Sequence, residues 1–221
     1  MKVFVPIKEN SNRVPKKNFR IFGDVPLYVH TLSRLNNFDV YVDTDSDEVV
    51  DEICKNKSLN HVTAYKRSPS LVGDDVSVCS LITDFILHER VQGPICQVHV
   101  TSPFINPGTL VAAREKLEQY DSVVSCDIIQ ERLWSNQRGV MYPMNHDANV
   151  LLPTQNLEKI YRENSLFYIF DSDNFMATGR RVGNNPYFYE TEFPESLDID
   201  YEDDWNTCVS VYKSGLDGYN K

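Results

Sequence analysis

Two groups of residues in this chain could do chemistry. The first is "KENSNRVPKKNFR", residues 8–20. It holds five basic side chains (Lys8, Arg13, Lys16, Lys17, Arg20) against one acid, Glu9, in a chain whose formal charge is −10. Lysine offers phosphate a mobile point charge and arginine a planar fork. Asn10, Ser11 and Asn18 add neutral polar groups, and the N–H groups of a tight loop can extend an anion site. The segment suits a nucleoside triphosphate. From the local pattern alone, a solvated run of surface charge is equally open. Neither GxxxxGK[ST] nor GxGxxG is present, so this is no Walker or dinucleotide-binding loop.

The second group is "ESLDIDYEDD" near the C-terminus, where Asp198 and Asp200 alternate with Leu197 and Ile199. On a strand, residues two apart face the same way, so both carboxylates would lie on one side. Two like charges side by side are unfavourable unless a cation sits between them. Hard oxygen ligands of this kind suit Mg²⁺, with phosphate oxygens completing its shell. The other reading is an exposed acidic face ahead of a helix whose first turn is Glu202, Asp203 and Asp204. Taken together, the two groups make one chemistry plausible: Mg²⁺ and Lys/Arg neutralise a triphosphate while a nucleophile attacks phosphorus in line.

The elements that must position these residues follow from apolar runs and their spacing. Strands are expected at 2–7, 39–44, 61–65, 95–100, 122–126, 165–170 and 187–190. Helices are expected at 26–38, 46–57, 76–91, 109–120 and 171–179. This alternation predicts an α/β fold with a mostly parallel sheet flanked by helices. Ligands of such sheets bind beyond the C-terminal ends of the strands. The basic loop, the Asp43–Asp45 loop and the Thr101–Pro103 loop should therefore converge on one crevice. Residues 127–163 break the rhythm and are too long for an ordinary connection. They read as a small insertion that closes over the crevice or makes a dimer contact.

The 221 residues suit one domain, residues 1–221, carrying that insertion. No apolar run approaches the roughly 18 residues of a membrane helix. The opening "MKVFVPIKEN" is too short in its apolar part for a signal peptide. A pI of 4.9 argues against nucleic acid or an anionic membrane as a partner. Five scattered cysteines, odd in number and without a CxxC, read as buried free thiols in a reducing compartment, and hence a cytoplasmic protein.

In order along the chain, "PIKENSNRVPKKNF", "YKRSPSLVGDDVS" (65–77), "TSPF" (101–104), "ENSLFYIF" (163–170) and "SLDID" (196–200) resemble the motifs of the sugar-acid cytidylyltransferases, the CMP-sialic acid and CMP-nonulosonic acid synthetases. The resemblance implies a Rossmann-like nucleotidyltransferase fold with a dimerisation insertion. It implies a reaction in which CTP and a sugar acid give a CMP-sugar and pyrophosphate. It assigns Lys8, Asn10, Ser11, Arg13, Lys17, Asn18, Arg67 and Ser77 to the nucleotide, with Lys8 and Lys17 stabilising charge in catalysis. Asp198 and Asp200 fall where the family holds Mg²⁺. His99, Thr101, Ser102, Arg162 and Asn164 fall where the acceptor is held. The chain departs from the family at five places: Lys8 stands for an arginine, Arg13 for a small residue, His99 for a glutamine, Ser165 for a glycine, and an arginine after the Thr-Ser-Pro is missing. The acceptor-side departures imply an acid other than ordinary sialic acid. A different acceptor class and a non-catalytic nucleotide binder are the alternatives.

Overall fold

The structure, a computed structural model, describes residues 1–11 and 13–216. In chain order the elements are β1 (Lys2–Ile7), β2 (Ile21–Phe22), β3 (Val25–Pro26), α1 (Leu27–Arg34), β4 (Asp39–Thr44), α2 (Asp47–Lys55), β5 (Val62–Lys66), α3 (Val78–Glu89) and β6 (Pro94–Val98). They continue with α4 (Pro107–Arg114), β7 (Ser122–Ile129), β8 (Trp134–Gln137), β9 (Val140–Pro143), β10 (Ile160–Asp171), α5 (Ser172–Thr178), β11 (Pro186–Glu190) and α6 (Glu202–Ser214). Seven strands form one sheet in the order β11-β7-β10-β6-β1-β4-β5. All pairings are parallel except those of β10, which runs against both β6 and β7.

The sheet is buried on both faces, which is why its central strands read as unbroken apolar runs. On β1, Val3, Val5 and Ile7 face one side, with Val29 and Leu32 of α1 and Val49 and Ile53 of α2. Phe4 faces the other side, where Ile82 and Phe85 of α3 and Phe175 of α5 pack. Phe4 and Phe85 stack at 4.7 Å between ring centroids. A third cluster joins Phe22 and Leu27 to Phe104, Ile199, Trp205, Cys208 and Val211. It welds the end of the chain to the segment that follows the basic loop.

Several boundaries differ from expectation for local reasons. α1 stops at Arg34, because the chain turns at Asn36–Asn37 and the N–H of Phe38 returns to the carbonyl of Leu35 at 3.0 Å. α4 starts at Pro107, where Asn106 Oδ1 accepts the N–H of Gly108 at 2.9 Å and proline suits the first helical position. Around the insertion, β7 runs on to Ile129 and β10 begins at Ile160. Between them β8 and β9 form a hairpin whose two turn residues, Arg138 and Gly139, both have positive φ (54° and 88°), the twist that a two-residue hairpin turn requires. Asn145 pins this segment: its amide donates to the carbonyls of Glu131 and Glu158, and its Oδ1 accepts the N–H of Leu133. Cys96, Cys126 and Cys208 are buried free thiols as expected; Cys54 departs from that reading by lying exposed on α2. Among the described residues, no helix is long and apolar enough to cross a membrane.

Phe22 stands at the centre of the third cluster and is inaccessible to solvent. Phe22→Ala should cost about 3–5 kcal/mol of stability, read as a fall in the urea midpoint. An unchanged midpoint would show that the cluster does not anchor the C-terminal segment.

Candidate active site

The basic segment leaves the C-terminal end of β1 and is fastened along its length. The N–H of Glu9 donates to Asp45 Oδ1 at 2.7 Å, which brings the β4 loop against it. Asn18 Nδ2 donates to the carbonyl of Lys8 at 3.0 Å, closing the loop on itself. Arg20 forks onto Glu202 at 2.7 and 2.8 Å, with its guanidinium 4.1 Å over the Trp205 ring. Val14 is buried at the loop's centre.

The loop forms one wall of a crevice of about 350 Å³. Lys8, Asn10, Ser11, Arg13, Lys17 and Asn18 all line it, with Arg67 beneath, His99 and Thr101 on the β6 side, and an apolar patch of Val76, Val78 and Leu81. Asn18 is nine-tenths buried, and its Oδ1 has no hydrogen-bond partner. It is an acceptor that a bound hydroxyl or amine could satisfy. Arg67 is held from behind: Nε donates to Asp43 Oδ1 at 2.6 Å and Nη2 to the Asp43 carbonyl at 3.1 Å. Burial pushes the Asp43 carboxyl pKa up, and Arg67 opposes the shift.

Lys17 is also buried. Its Nζ donates to the carbonyl of Ile199 and lies 3.7 Å from Asp200 Oδ1. Burial lowers its pKa, while Asp198 and Asp200 pull it back up. Asp200 receives a two-pronged grip from Arg13, at 2.9 and 2.7 Å, and the Arg13 guanidinium lies 5.5 Å from the Tyr201 ring centre. Asp198 accepts the Ser102 hydroxyl at 3.4 Å and the Thr101 hydroxyl. Burial raises the Asp198 pKa, and the neighbouring charge of Asp200 adds to that.

Residues 197–200 form no strand, contrary to expectation. Ile199 instead sinks into the third cluster and donates its N–H to the carbonyl of Thr101 at 2.9 Å. The flanking carboxylates still serve one region, because both act on Lys17 and on each other. Among the described residues, no three His, Cys, Asp or Glu side chains group around a metal position. Two carboxylates whose charges repel suit a hard divalent cation that takes the rest of its shell from phosphate and water. In that respect the residues fit Mg²⁺, which would share Asp200 with Arg13 or displace it.

The expected nucleotide residues therefore come together, with one exception. Ser77 is exposed and caps α3, its Oγ accepting the N–H of Cys79 at 3.2 Å; its neighbours Val76 and Val78 line the crevice and it does not. The expected acceptor residues divide. His99 and Thr101 line the crevice, and Ser102 serves Asp198. Arg162 and Asn164 both bind Asp127 at the base of the insertion, and Asn164 also binds Thr191 at 2.7 Å. Ser165, where the family carries glycine, has φ of +61° at an irregularity in the β10–β7 pairing. A left-handed backbone explains why glycine suits that position. The sequence placed the loop of Asp43 at the crevice without giving it the support of Arg67, and left Asp74, which lines the crevice 3.4 Å from Lys8, without a role inside a motif. It missed Gln97 and Arg181, of which Gln97 left a signal, as an amide inside the apolar run "ICQVHV".

A seven-stranded sheet with a cationic loop after β1 and a crevice beyond its strand ends defines an α/β nucleotidyltransferase fold. The sequence profile of the family described as "Cytidylyltransferase" matches residues 3–217, and the chain belongs to that family. It is 29% identical over 222 residues to N-acylneuraminate cytidylyltransferase A of Danio rerio, covering 96% of this chain and 50% of that protein. The first curated relatives are thus about twice as long as the part this chain spans. It is 25% identical over 219 residues to the CMP-N,N'-diacetyllegionaminic acid synthase of Legionella pneumophila, covering 91% of each. In fold it is similar to CMP:2-keto-3-deoxy-manno-octonic acid synthetase complexed with CTP, with a TM-score of 0.69 at 12% identity over 97% of this chain and 98% of that one.

Asp198→Asn removes a carboxylate whose burial disfavours its charge. A raised native pKa means that the penalty applies above that pKa and disappears as the group protonates. Metal-free Asp198→Asn should therefore be more stable than the parent at neutral pH, by about 1 kcal/mol. The gain should fade on acidification toward the ordinary carboxylate range. A destabilised variant at neutral pH would show that the charge of Asp198 stabilises the fold.

Proposed function

We propose that this chain is a CTP-dependent cytidylyltransferase that transfers CMP to a sugar acid of the 3-deoxy-2-keto, nonulosonic type and releases pyrophosphate. The observation that carries this is that Lys8, Arg13 and Lys17 line one crevice while Asp200 pairs with Arg13 and Lys17 and Asp198 accepts from Thr101 beside them, in a chain of the cytidylyltransferase family. The acceptor's anomeric hydroxyl oxygen forms a bond to the α-phosphorus and gives up its proton to solvent. The bond from that phosphorus to the bridging oxygen breaks, and pyrophosphate leaves with the electron pair. Lys8 and Lys17 face the charge that accumulates on the phosphate oxygens, and such preorganised cations are worth most where water is excluded. Asp198 and Asp200 would hold Mg²⁺, which supplies charge neutralisation and a lowered pKa for the attacking hydroxyl. Thr101 and Ser102 keep Asp198 oriented for that duty. Nucleotide recognition falls to Asn18 and Arg67, whose side chains line the crevice from fixed positions. The exposed apolar side chains of the hairpin, among them Trp134, Met141 and Tyr142, fit a homodimer contact, and the free thiols fit a cytoplasmic setting.

Pyrophosphate release, measured with CTP and Mg²⁺ against sialic, legionaminic, pseudaminic and 3-deoxy-octulosonic acids, tests this reading. CTP should support turnover with one of them, and ATP, GTP and UTP should not. Lys17→Ala and Asp200→Asn should each lower kcat/KM by about 10²–10³ with the circular dichroism spectrum retained. CTP binding without turnover on any acid would favour the non-catalytic alternative.

A further inference from the structure

A second polar group lies beside the crevice, on the half of the sheet away from the basic loop. Gln97, fully buried on β6, faces Tyr168 across the β6–β10 pairing. Its amide nitrogen lies 2.7 Å from His99 Nε2, and its amide oxygen receives Nη1 of Arg181. The Arg181 guanidinium sits 3.9 Å over the ring of Tyr168, whose hydroxyl donates to Glu163 Oε2 at 2.8 Å. No carboxylate among the described residues pairs with Arg181.

The hydrogen-bond directions in this chain are forced. A guanidinium has donors and no acceptor, so the Gln97 atom facing Arg181 must be oxygen. The other end of the amide is then NH₂, which can only donate. His99 Nε2 must accept and carries no proton, and a neutral imidazole then bears its proton on Nδ1. The imidazolium is excluded, because both its nitrogens donate. The surroundings agree: burial, then Arg181, then Lys17 push the His99 pKa down to about 4, against a smaller upward pull from Asp200. His99 lines the crevice, and the described residues give its Nδ1 no partner. That N–H is left for whatever binds there.

We propose that Arg181 is a positioning residue which, through Gln97, fixes His99 as an Nδ1–H donor aimed at an oxygen of the acid acceptor. This rests on the cytidylyltransferase reading for the identity of its ligand. The triphosphate cations come from the β1 loop, and Arg67 follows β5. Gln97 lies on β6, His99 follows that strand, and Arg181 comes from the α5–β11 connection and rests on Tyr168 of β10, away from the β1 loop and β5, so the acceptor and not the nucleotide is the ligand of this relay. Arg181 also gives that side an uncompensated positive charge suited to an anionic substrate.

Two arms test this. In ¹⁵N-histidine spectra of the substrate-free protein at neutral pH, with His99 assigned by its loss in His99→Asn, the ring should be neutral and protonated on Nδ1. Gln97→Glu presents acceptors to both neighbours and should move the proton to Nε2. Arg181→Met should release the preference, and Arg181→Lys, which keeps one donor, should retain it. In kinetics, Arg181→Met and Gln97→Glu should raise KM for the acid about tenfold and leave KM for CTP within about twofold; Arg181→Lys should recover most of the loss. A ring protonated on Nε2 in the parent, or a preference unmoved in Arg181→Met and Gln97→Glu, overturns the relay. A matched rise in KM for CTP overturns its assignment to the acceptor. If no acid is turned over, the functional reading fails, and the spectra still decide the relay.

Discussion

A buried ammonium ties the loop after β1 to the segment ahead of α6. Lys17, in the loop after the first strand, donates to the carbonyl of Ile199 and faces Asp198 and Asp200 near the last helix. Burying a charge is tolerated only where hydrogen bonds and opposite charge replace water. The Ile199 carbonyl and the ion pair with Asp200 do that here, so the basic loop and the acidic segment cannot be placed independently. Phe22, Leu27, Ile199 and Trp205 pack around this link and hold Ile199 at the depth that brings its carbonyl to Lys17. The same placement leaves Asp198 against Thr101 and Ser102 and Asp200 against Arg13 and Lys17, and of these four partners all but Ser102 line the crevice. The cationic half and the anionic half of the site are thus one structural unit.

What could be read from residues alone was whatever is local. The strand runs "KVFVPI" and "DVYVDT" became β1 and β4 with the expected ends, because β-branched and aromatic runs between polar loops leave little choice of element. Convergence of the basic loop with Thr101 followed from the rule that ligands sit beyond the strand ends. Features that depend on which side chains meet across the sheet were not legible. Nothing near Arg181 in sequence marks it as the partner of Gln97, 84 positions earlier. Arg162 and Asn164 fall in a family motif, yet their positions on β10 bring both to Asp127. Asp198 and Asp200 alternate as a strand would, but sheet pairing does not hold them; a single apolar anchor at Ile199 does.

The sheet also divides the labour of the crevice. On one side of the boundary between β6 and β1, the groups are mobile or fork-like cations suited to phosphate: Lys8, Arg13 and Lys17. On the other side is a neutral imidazole backed by an amide and a stacked guanidinium. One wall tolerates variable phosphate geometry, since lysine carries its charge on a flexible stem. The other wall has fixed donors whose directions are set by a buried amide. On the proposed function, a site that takes one common nucleotide and selects one acid would need rigidity on the acid's side, because a misplaced buried donor is left unpaired and discriminates strongly between otherwise similar substrates.

The charge arrangement without ligand shows how an acidic protein keeps an anion site ordered. Left alone, the cations of the basic segment would repel one another, and the acids near the C-terminus would do the same. In this structure they neutralise each other: Arg13 grips Asp200, Lys17 lies between the loop and both acids, and Arg20 forks onto Glu202. On the proposed function, a triphosphate entering here would exchange partners with these ion pairs. Each cation it takes releases a carboxylate, and two released carboxylates side by side are unfavourable unless a divalent cation arrives with the nucleotide. Arg13 is the most exposed of the cations that hold Asp200, and its exchange needs the least rearrangement. The buried Lys17 also donates to the carbonyl of Ile199, a contact that would hold the loop in place as the ion pairs change. On the proposed function, anion and metal binding would be coupled by charge balance at Asp200, each favouring the other.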